Sequence, residues 1–217
     1  MTLRRSTADE VFATLRTRIL TGELAPGSRH SIYQLAEELA VSRTPVREAV
    51  LRLADLGLVT IERNRGITIR GVRADDVREV FELRVMLEVP AAAKAAEVAD
   101  DQLVDRLTDL LELMRAAARA EDEPTFMHHD RALHAALGEA MGNRRLGREV
   151  DRLRDSIQVR GVSTVGRARS LDEVADEHAP IVEAIVARDP EAAAAAMRRH
   201  LDHTATLILE QLAGNDR

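Results

Sequence analysis

The sequence predicts a mainly α-helical fold in two parts, a short helical domain that ends in a small β region and an all-α antiparallel six-helix bundle. Apolar residues recur with the 3.6-residue period of helices over most of the chain. The alternation of apolar and polar residues that is typical of strands is confined to residues 58–71. Capping-box patterns at Thr7, Ser31 and Ser170 each precede a periodic run, which marks three helix starts.

Composition narrows the class of protein. With 217 residues, 45% of them apolar, the chain can bury a substantial core. The absence of cysteine excludes disulfides, thiolate metal ligands and thiol nucleophiles. No apolar run approaches the roughly 18 residues that span a bilayer. We therefore expect a cytoplasmic protein with no membrane partner.

Charge divides the chain into two domains. Residues 1–71 carry 11 arginines against 8 acidic residues, whereas the whole chain has 31 basic and 37 acidic residues. The first part is thus basic and the rest is acidic. A phosphate backbone would bind to the basic part. We place the domains at residues 1–73 and 74–217.

The basic domain has the spacing of a helix-turn-helix. A first helix should end near Gly22, and a second helix should cover about residues 31–40. The tetrapeptide at residues 40–43 then turns into a third helix, with Ser42 as N-cap and Pro45 tolerated in the first turn. The predicted core positions of the first and third helices are Phe12, Leu15, Ile19, Val46, Ala49, Val50 and Leu53.

The third helix and the β region indicate a nucleic-acid-binding domain. Arg43 and Arg47 project from the same helical face, because they are four residues apart, and Thr44 lies beside them. Such a helix presents its N-terminal residues to the major groove. Strands at 58–62 and 67–70 would form a basic wing. The sequence thus predicts a winged helix-turn-helix that binds double-stranded DNA, with Ser42, Arg43, Thr44 and Arg47 at the start of the DNA-binding helix and Arg65 and Gly66 in the wing. Taken alone, the two arginines could equally form a solvated surface.

Four residues with metal-ligand chemistry lie on apolar helix faces of the second domain. Its predicted helices cover 74–98, 101–120, 124–141, 144–160, 171–187 and 190–213. Asp130, His134, His178 and His200 fall on the apolar stripes of three of them. Each histidine by itself could be a hydrogen-bonded core residue. Together, three imidazoles and a carboxylate suit Zn²⁺, Ni²⁺, Mn²⁺ or Fe²⁺, of which we favour Zn²⁺ as the cofactor.

Two sets of motifs resemble a known family. The segments at 35–39, 42–49 and 56–59 resemble the winged helix-turn-helix of GntR-superfamily bacterial regulators. The spacings Asp130-x3-His134 and His178-x21-His200 resemble the FCD effector domain of its FadR subfamily. The resemblance implies that Arg43, Thr44 and Arg47 contact operator DNA, while the wing around Gly66 approaches the minor groove or the backbone. Tyr33 departs from relatives that have a DNA-contacting arginine there.

The resemblance also implies the function of a ligand-responsive transcriptional regulator. We expect a repressor that binds its operator as a homodimer and senses a small organic acid near the metal. Arg84 is the effector-binding residue in this interpretation, and the alternative is an ion pair with Glu88. Two other functions stay open: a metal that serves only structure with a different effector, and a metal-dependent hydrolase. The hydrolase is disfavoured because no HExxH-type pairing places a general base. We therefore expect no enzyme.

Overall fold

The protein is described here from a computed structural model, which covers residues 7–62, 66–143, 145–158, 164 and 168–215. The chain forms two compact units. The first comprises Met1–Val72 with Ser156–Val162, and the second comprises Arg73–Asp155 with Ser163–Arg217. The predicted fold class, mainly α with a small sheet in the N-terminal part, is confirmed. The domain boundary after residue 73 stays a prediction.

Three helices and three short strands build the first unit. They are α1 (Thr7–Leu20), β1 (Arg29–His30), α2 (Ile32–Glu38), α3 (Arg43–Asp55), β2 (Val59–Glu62) and β3 (Gly66–Ile69). Helices α1 and α2 both pack on α3. The predicted core positions of α3 are all buried, and in α1 Leu15 and Ile19 are buried while Phe12 is partly buried against the same core. Apolar periodicity therefore located this core correctly.

Local hydrogen bonds explain where α2 begins and how the chain turns into α3. The Ser31 side chain accepts from the Gln34 backbone at 3.0 Å, and the Gln34 side chain accepts from the Ser31 backbone at 3.2 Å, so the predicted capping box is present. Ala40 adopts a φ of 51° in the turn. Ser42 occupies the N-cap position of α3, as predicted, but its side chain makes no capping hydrogen bond.

The wing is a three-stranded antiparallel sheet in the order β1-β3-β2. Strand β1 was not predicted, because two residues are too few to show the period of a strand; His30 pairs with Ile67. Gly66 has a φ of 95°, and a Cβ at this position would lie 2.3 Å from the His30 backbone oxygen. The fold therefore requires glycine there, independently of any contact with DNA.

Six helices form the second unit within the residues described. They are α4 (Ala74–Val98), α5 (Asp101–Arg119), α6 (Glu123–Ala140), α7 (Leu146–Gln158), α8 (Leu171–Val186) and α9 (Pro190–Asn215), of which α7 belongs to this unit as far as Asp155. Helix α4 packs on α6, α8 and α9, while α5 packs on α6 and α8. Side chains of Asp100, Asp122 and Ser170 cap α5, α6 and α8. None of the helices in the described part of the chain is long and apolar enough to cross a bilayer.

The core of the second unit is unusual because it contains ionisable groups. Helices α4, α6, α7, α8 and α9 each place at least one such side chain among buried apolar residues. These side chains are Arg84, Glu88, Asp130, His134, Arg154, His178 and His200. Burying a charge without a partner is costly, so their mutual contacts determine what this core can do.

Candidate functional site

Three histidines from three helices converge in the core of the second unit. His134 on α6, His178 on α8 and His200 on α9 each offer one ligand atom, and these atoms all lie within 4.8 Å of one another. Each histidine continues the buried stripe of its own helix, which explains why the fold aims all three inward. Among the described residues, this is the one group of three or more potential ligands spaced to hold a metal ion.

Hydrogen bonds set the tautomers of two of these histidines. His178 Nδ1 lies 2.7 Å from the Val174 carbonyl oxygen, which can only accept, so Nδ1 carries the proton. His134 Nδ1 contacts the Glu88 carboxylate, which fixes its proton in the same way. With Nδ1 protonated, the neutral form of each ring has its lone pair on Nε2, and the two Nε2 atoms face each other across 3.2 Å. Two facing lone pairs repel unless a cation lies between them.

Glu177 contacts Nδ1 of His200 as Glu88 contacts Nδ1 of His134. His200 Nδ1 lies 3.1 Å from Oε2 of Glu177, and His203 Nδ1 lies 2.9 Å from Oε1 of the same carboxylate. Arg169 also donates to Glu177, and it donates to Thr204 at 2.9 Å. All three imidazoles thus have Nδ1 engaged by a carboxylate or a carbonyl. Metal-binding histidines are oriented in this manner in proteins generally.

The environment keeps two of these imidazoles neutral. Burial lowers the pKa of His178 to about 3, and the nearby His134 contributes to the shift. Burial and the neighbouring His178 hold the pKa of His200 well below its usual range. Because only a neutral imidazole has a lone pair to donate, this environment favours metal coordination at neutral pH.

The distances fit a first-row divalent ion. Two nitrogens bound to one ion at about 2.0–2.1 Å, at angles between 90° and tetrahedral, are about 2.9–3.4 Å apart. The 3.2 Å between the Nε2 atoms of His134 and His178 lies in this interval. Asp130 adds an oxygen, because its Oδ1 lies 3.2 Å from His178 Nε2 and 3.9 Å from His134 Nε2. Asp130 therefore neighbours two of the three histidines, while the group whose ligand atoms all lie within 4.8 Å of one another contains the histidines alone. Three imidazoles with a carboxylate beside two of them are a donor set that suits a metal.

Two buried arginines accompany these groups. Arg154 on α7 donates through one Nη atom to Asp130 Oδ2, while its other nitrogen, Nη1, is buried and has no hydrogen-bond partner. Arg84 on α4 donates from Nε to Glu88 Oε1 at 2.6 Å, so the ion pair considered as the alternative role of Arg84 is present. Its effector-binding role stays a prediction.

Electrostatics couple these residues into one cluster. Burial, together with the positive charge of Arg84, lowers the pKa of Arg154 to about 9. Burial alone would raise the pKa of Glu88, but Arg84 and His134 outweigh burial and hold it well below its usual range. Glu88 is therefore a carboxylate that bridges Arg84 and His134.

Sequence reasoning missed several members of this cluster. Arg154 was not identified, although it follows Leu146 and Val150 and precedes Ile157 on the buried stripe of α7, which is the signal that would have found it. Glu88 was expected only as a partner of Arg84, and its contact with His134 comes from tertiary packing. Arg169 lies outside the helices, so no periodicity could have revealed its contact with Glu177.

The predicted DNA-reading residues occupy the exposed N-terminal end of α3. Ser42, Arg43, Thr44 and Arg47 are all exposed. The Arg43 guanidinium lies 5.9 Å from the centre of the Tyr33 ring, and the Tyr33 hydroxyl donates to Glu37 at 2.7 Å. Gly66 begins β3, while Arg65 lies outside the described residues.

Comparison with known proteins identifies both parts of the chain. Residues 7–69 match the family of bacterial regulatory proteins called gntR, and residues 79–203 match the FCD domain. The chain belongs to the GntR family and carries an FCD domain. Members of this family are transcription regulators that bind operator DNA. The expectation that the chain is a regulator and not an enzyme is confirmed.

Individual relatives have names that fit this family. The "Probable D-xylose utilization operon transcriptional repressor" of Paenarthrobacter nicotinovorans is 30% identical over 199 residues, covering 91% of this chain and 87% of that protein. The gluconate operon transcriptional repressor of Bacillus licheniformis is 31% identical over 134 residues, covering 62% of this chain and 55% of that protein. The solved structure of Escherichia coli McbR/YncC has the same fold, with a TM-score of 0.66, 24% identity and coverage of 96% of this chain and 100% of that one.

Proposed function

We propose that this GntR-family regulator is a homodimeric repressor whose FCD domain holds a divalent metal ion and senses a small organic acid. The observation that carries the proposal is the convergence of His134, His178 and His200. Their Nδ1 atoms are engaged by other groups and their ligand atoms lie within 4.8 Å of one another. A regulator that only needed a stable core would gain more from apolar residues at these positions.

In this proposal the three histidines and Asp130 hold the ion, with Zn²⁺ favoured. Glu88, Glu177 and the Val174 carbonyl keep the imidazoles oriented and their Nδ1 atoms protonated. The ion would supply coordination positions for a carboxylate. Arg84 lies close to His200, whose pKa its charge lowers, so a guanidinium is available beside the ligands to attract an acid.

The first unit supplies the operator contacts. Arg43 and Arg47 can each donate two hydrogen bonds to guanine or clamp a phosphate. Ser42 has a hydroxyl that makes no capping hydrogen bond, and it lies at a helix N-terminus, where phosphates bind favourably. Acid binding in the FCD domain would change operator affinity through a coupling free energy of about 1–3 kcal/mol, which is typical of allosteric regulators.

A thermal-shift experiment on metal-loaded protein tests the sensor proposal. Small organic acids that bind the folded state raise the apparent melting temperature by mass action. We expect a saturable shift that disappears in the Asp130→Ala/His134→Ala variant. Its matched control is His128→Ala/His129→Ala, because these two side chains lie on the same helix outside the cluster. If no acid shifts the metal-loaded protein, the metal serves structure alone and the effector is of another class.

A further inference from the structure

We infer that Arg154 forms an anion-binding subsite beside the histidine cluster, so that the preferred effector is a dicarboxylate rather than a monocarboxylate. This inference rests on the proposed acid-sensing function and specifies its ligand. One carboxylate of the effector would bind beside the proposed metal ligands, and the second would bind the buried guanidinium of Arg154.

The first reason is an unused donor. Arg154 is only 7% exposed, and its Nη1 atom is buried without a hydrogen-bond partner while the other Nη atom donates to Asp130. Leaving a buried charged donor unsatisfied costs more than leaving a buried neutral group unsatisfied. A site that retains such a donor fits a ligand that supplies the missing acceptor.

The second reason is the balance of buried charge. Arg84 and Arg154 are positive, and Glu88 and Asp130 are negative, so the four groups offset one another. A divalent ion held by the histidines would add two positive charges that no described side chain in this set offsets. A ligand with two carboxylates would neutralise both, whereas a ligand with one would leave a net charge buried, which is unfavourable.

The third reason is the position of Arg154. It donates to Asp130, one of the predicted ligands, whose Oδ1 lies 3.2 Å from His178 Nε2, so the guanidinium is one side chain away from the histidines. Arg84 is close enough to lower the pKa of Arg154 by charge repulsion. An anion between or beside two like charges is attracted by both. Planar guanidinium groups also match carboxylates in a bidentate geometry.

Calorimetric titration of the zinc-loaded full chain tests the inference with matched acids. Malonate, succinate and glutarate each have a partner in which a methyl group replaces one carboxylate, namely propionate, butyrate and pentanoate. We expect at least one diacid to bind about 10- to 100-fold more tightly than its partner, as expected for one charge-assisted hydrogen-bonded pair. Zinc content is measured after each titration to exclude removal of the metal by the acid.

Substitution of Arg154 assigns the effect to this residue. Arg154→Gln should abolish the diacid preference, so that each diacid and its matched monoacid bind with the same affinity when both are measured on protein loaded to one zinc ion per chain. Arg154→Lys, which keeps the charge but not the planar fork, should recover part of the preference. The matched control is Arg131→Gln. It removes the ion pairs that Arg131 makes with α7 through Asp151 at 3.2 Å and Asp155 at 2.6 Å, and it should keep the diacid preference.

Each result separates this inference from the proposed function. Equal affinity of wild-type protein for diacids and monoacids would overturn the inference and leave acid sensing intact. A diacid preference that persists in Arg154→Gln would also overturn it, because the second carboxylate would then bind elsewhere. Absence of binding by every acid to zinc-loaded wild-type protein would overturn both. The wild-type comparison decides the question even if the Arg154 variants do not fold.

Discussion

The two units use charged residues in opposite ways. On α3 of the first unit, Arg43 and Arg47 are exposed at a helix end, where water solvates them at little cost. In the second unit, Arg84, Glu88, Asp130 and Arg154 are all buried and must be stabilised by one another. An exposed arginine indicates a binding site only when it belongs to a recognisable motif. A buried arginine indicates a site through its burial alone.

This difference determines how each unit responds to substitution. Removing an exposed charge should change DNA affinity and leave folding intact, because the side chain packs against little. Removing a buried charge leaves the oppositely charged partner buried without compensation. We therefore expect metal affinity, ligand affinity and stability to change together. The following experiments test that contrast, from the largest expected effect to the smallest.

Loss of two imidazoles should have the largest effect. Zinc sites that support folding contribute about 10–16 kcal/mol of apparent binding free energy near neutral pH, and removing two of three histidines eliminates most of it. We therefore expect His134→Ala/His178→Ala to contain no metal by mass spectrometry. The control pair His128→Ala/His129→Ala should retain about one ion per chain. Full metal content in the first variant would show that these histidines are not the ligands.

Removing the two exposed arginines should have the next largest effect, this time on DNA. Each good base contact contributes about 1–3 kcal/mol, so Arg43→Ala/Arg47→Ala should weaken operator binding by about 2–6 kcal/mol in fluorescence anisotropy at fixed salt. The melting temperature should not change. Arg52→Ala is the control, because Arg52 lies in the last turn of the same helix and pairs with Asp9 at 2.7 Å. Unchanged affinity in the double variant would contradict the reading-helix assignment.

Substitution of Glu88, which contacts a proposed metal ligand rather than the metal, should have an intermediate effect. Glu88→Gln keeps the size of the side chain but removes the charge that orients His134 and pairs with Arg84. Groups of this kind typically change metal affinity about 10- to 100-fold, and we expect a decrease of that size in competition titrations with a chelator. Glu97→Gln serves as the control on the same helix, since Glu97 forms an exposed pair with Lys94. A decrease in both variants would point to a general effect on α4.

Substitution of two serines at helix starts should have the smallest effects. The two substitutions should differ in the property they change, which is stability for one and operator affinity for the other. Ser170 caps α8 through the Glu173 backbone at 3.2 Å, so Ser170→Ala should cost about 1 kcal/mol in denaturant unfolding. Ser42 makes no such bond, and Ser42→Ala should leave stability nearly unchanged while reducing operator affinity. Equal destabilisation by the two substitutions would mean that Ser42 also serves as a structural cap.

Periodicity predicted most of the fold, because long amphipathic helices repeat their pattern many times. The predicted 74–98 helix agrees with α4, and the capping signals at Ser31 and Ser170 form as expected. The two-residue strand β1 is too short to repeat any pattern, so it was missed. The site was predicted in part for the same reason. His134, His178 and His200 lie on helical stripes, whereas the contact of Arg169 with Glu177 depends on tertiary packing that no local pattern encodes.

The most direct test is whether an acid changes operator binding only when the histidines proposed as metal ligands are present. An operator is selected from random DNA with the purified protein, and its dissociation constant is measured by anisotropy with and without succinate, malonate or glutarate. We expect a change of about 5- to 150-fold in metal-loaded wild-type protein and none in His134→Ala/His178→Ala. An equal response in both proteins, or no response to any of the three acids in the wild type, would contradict it.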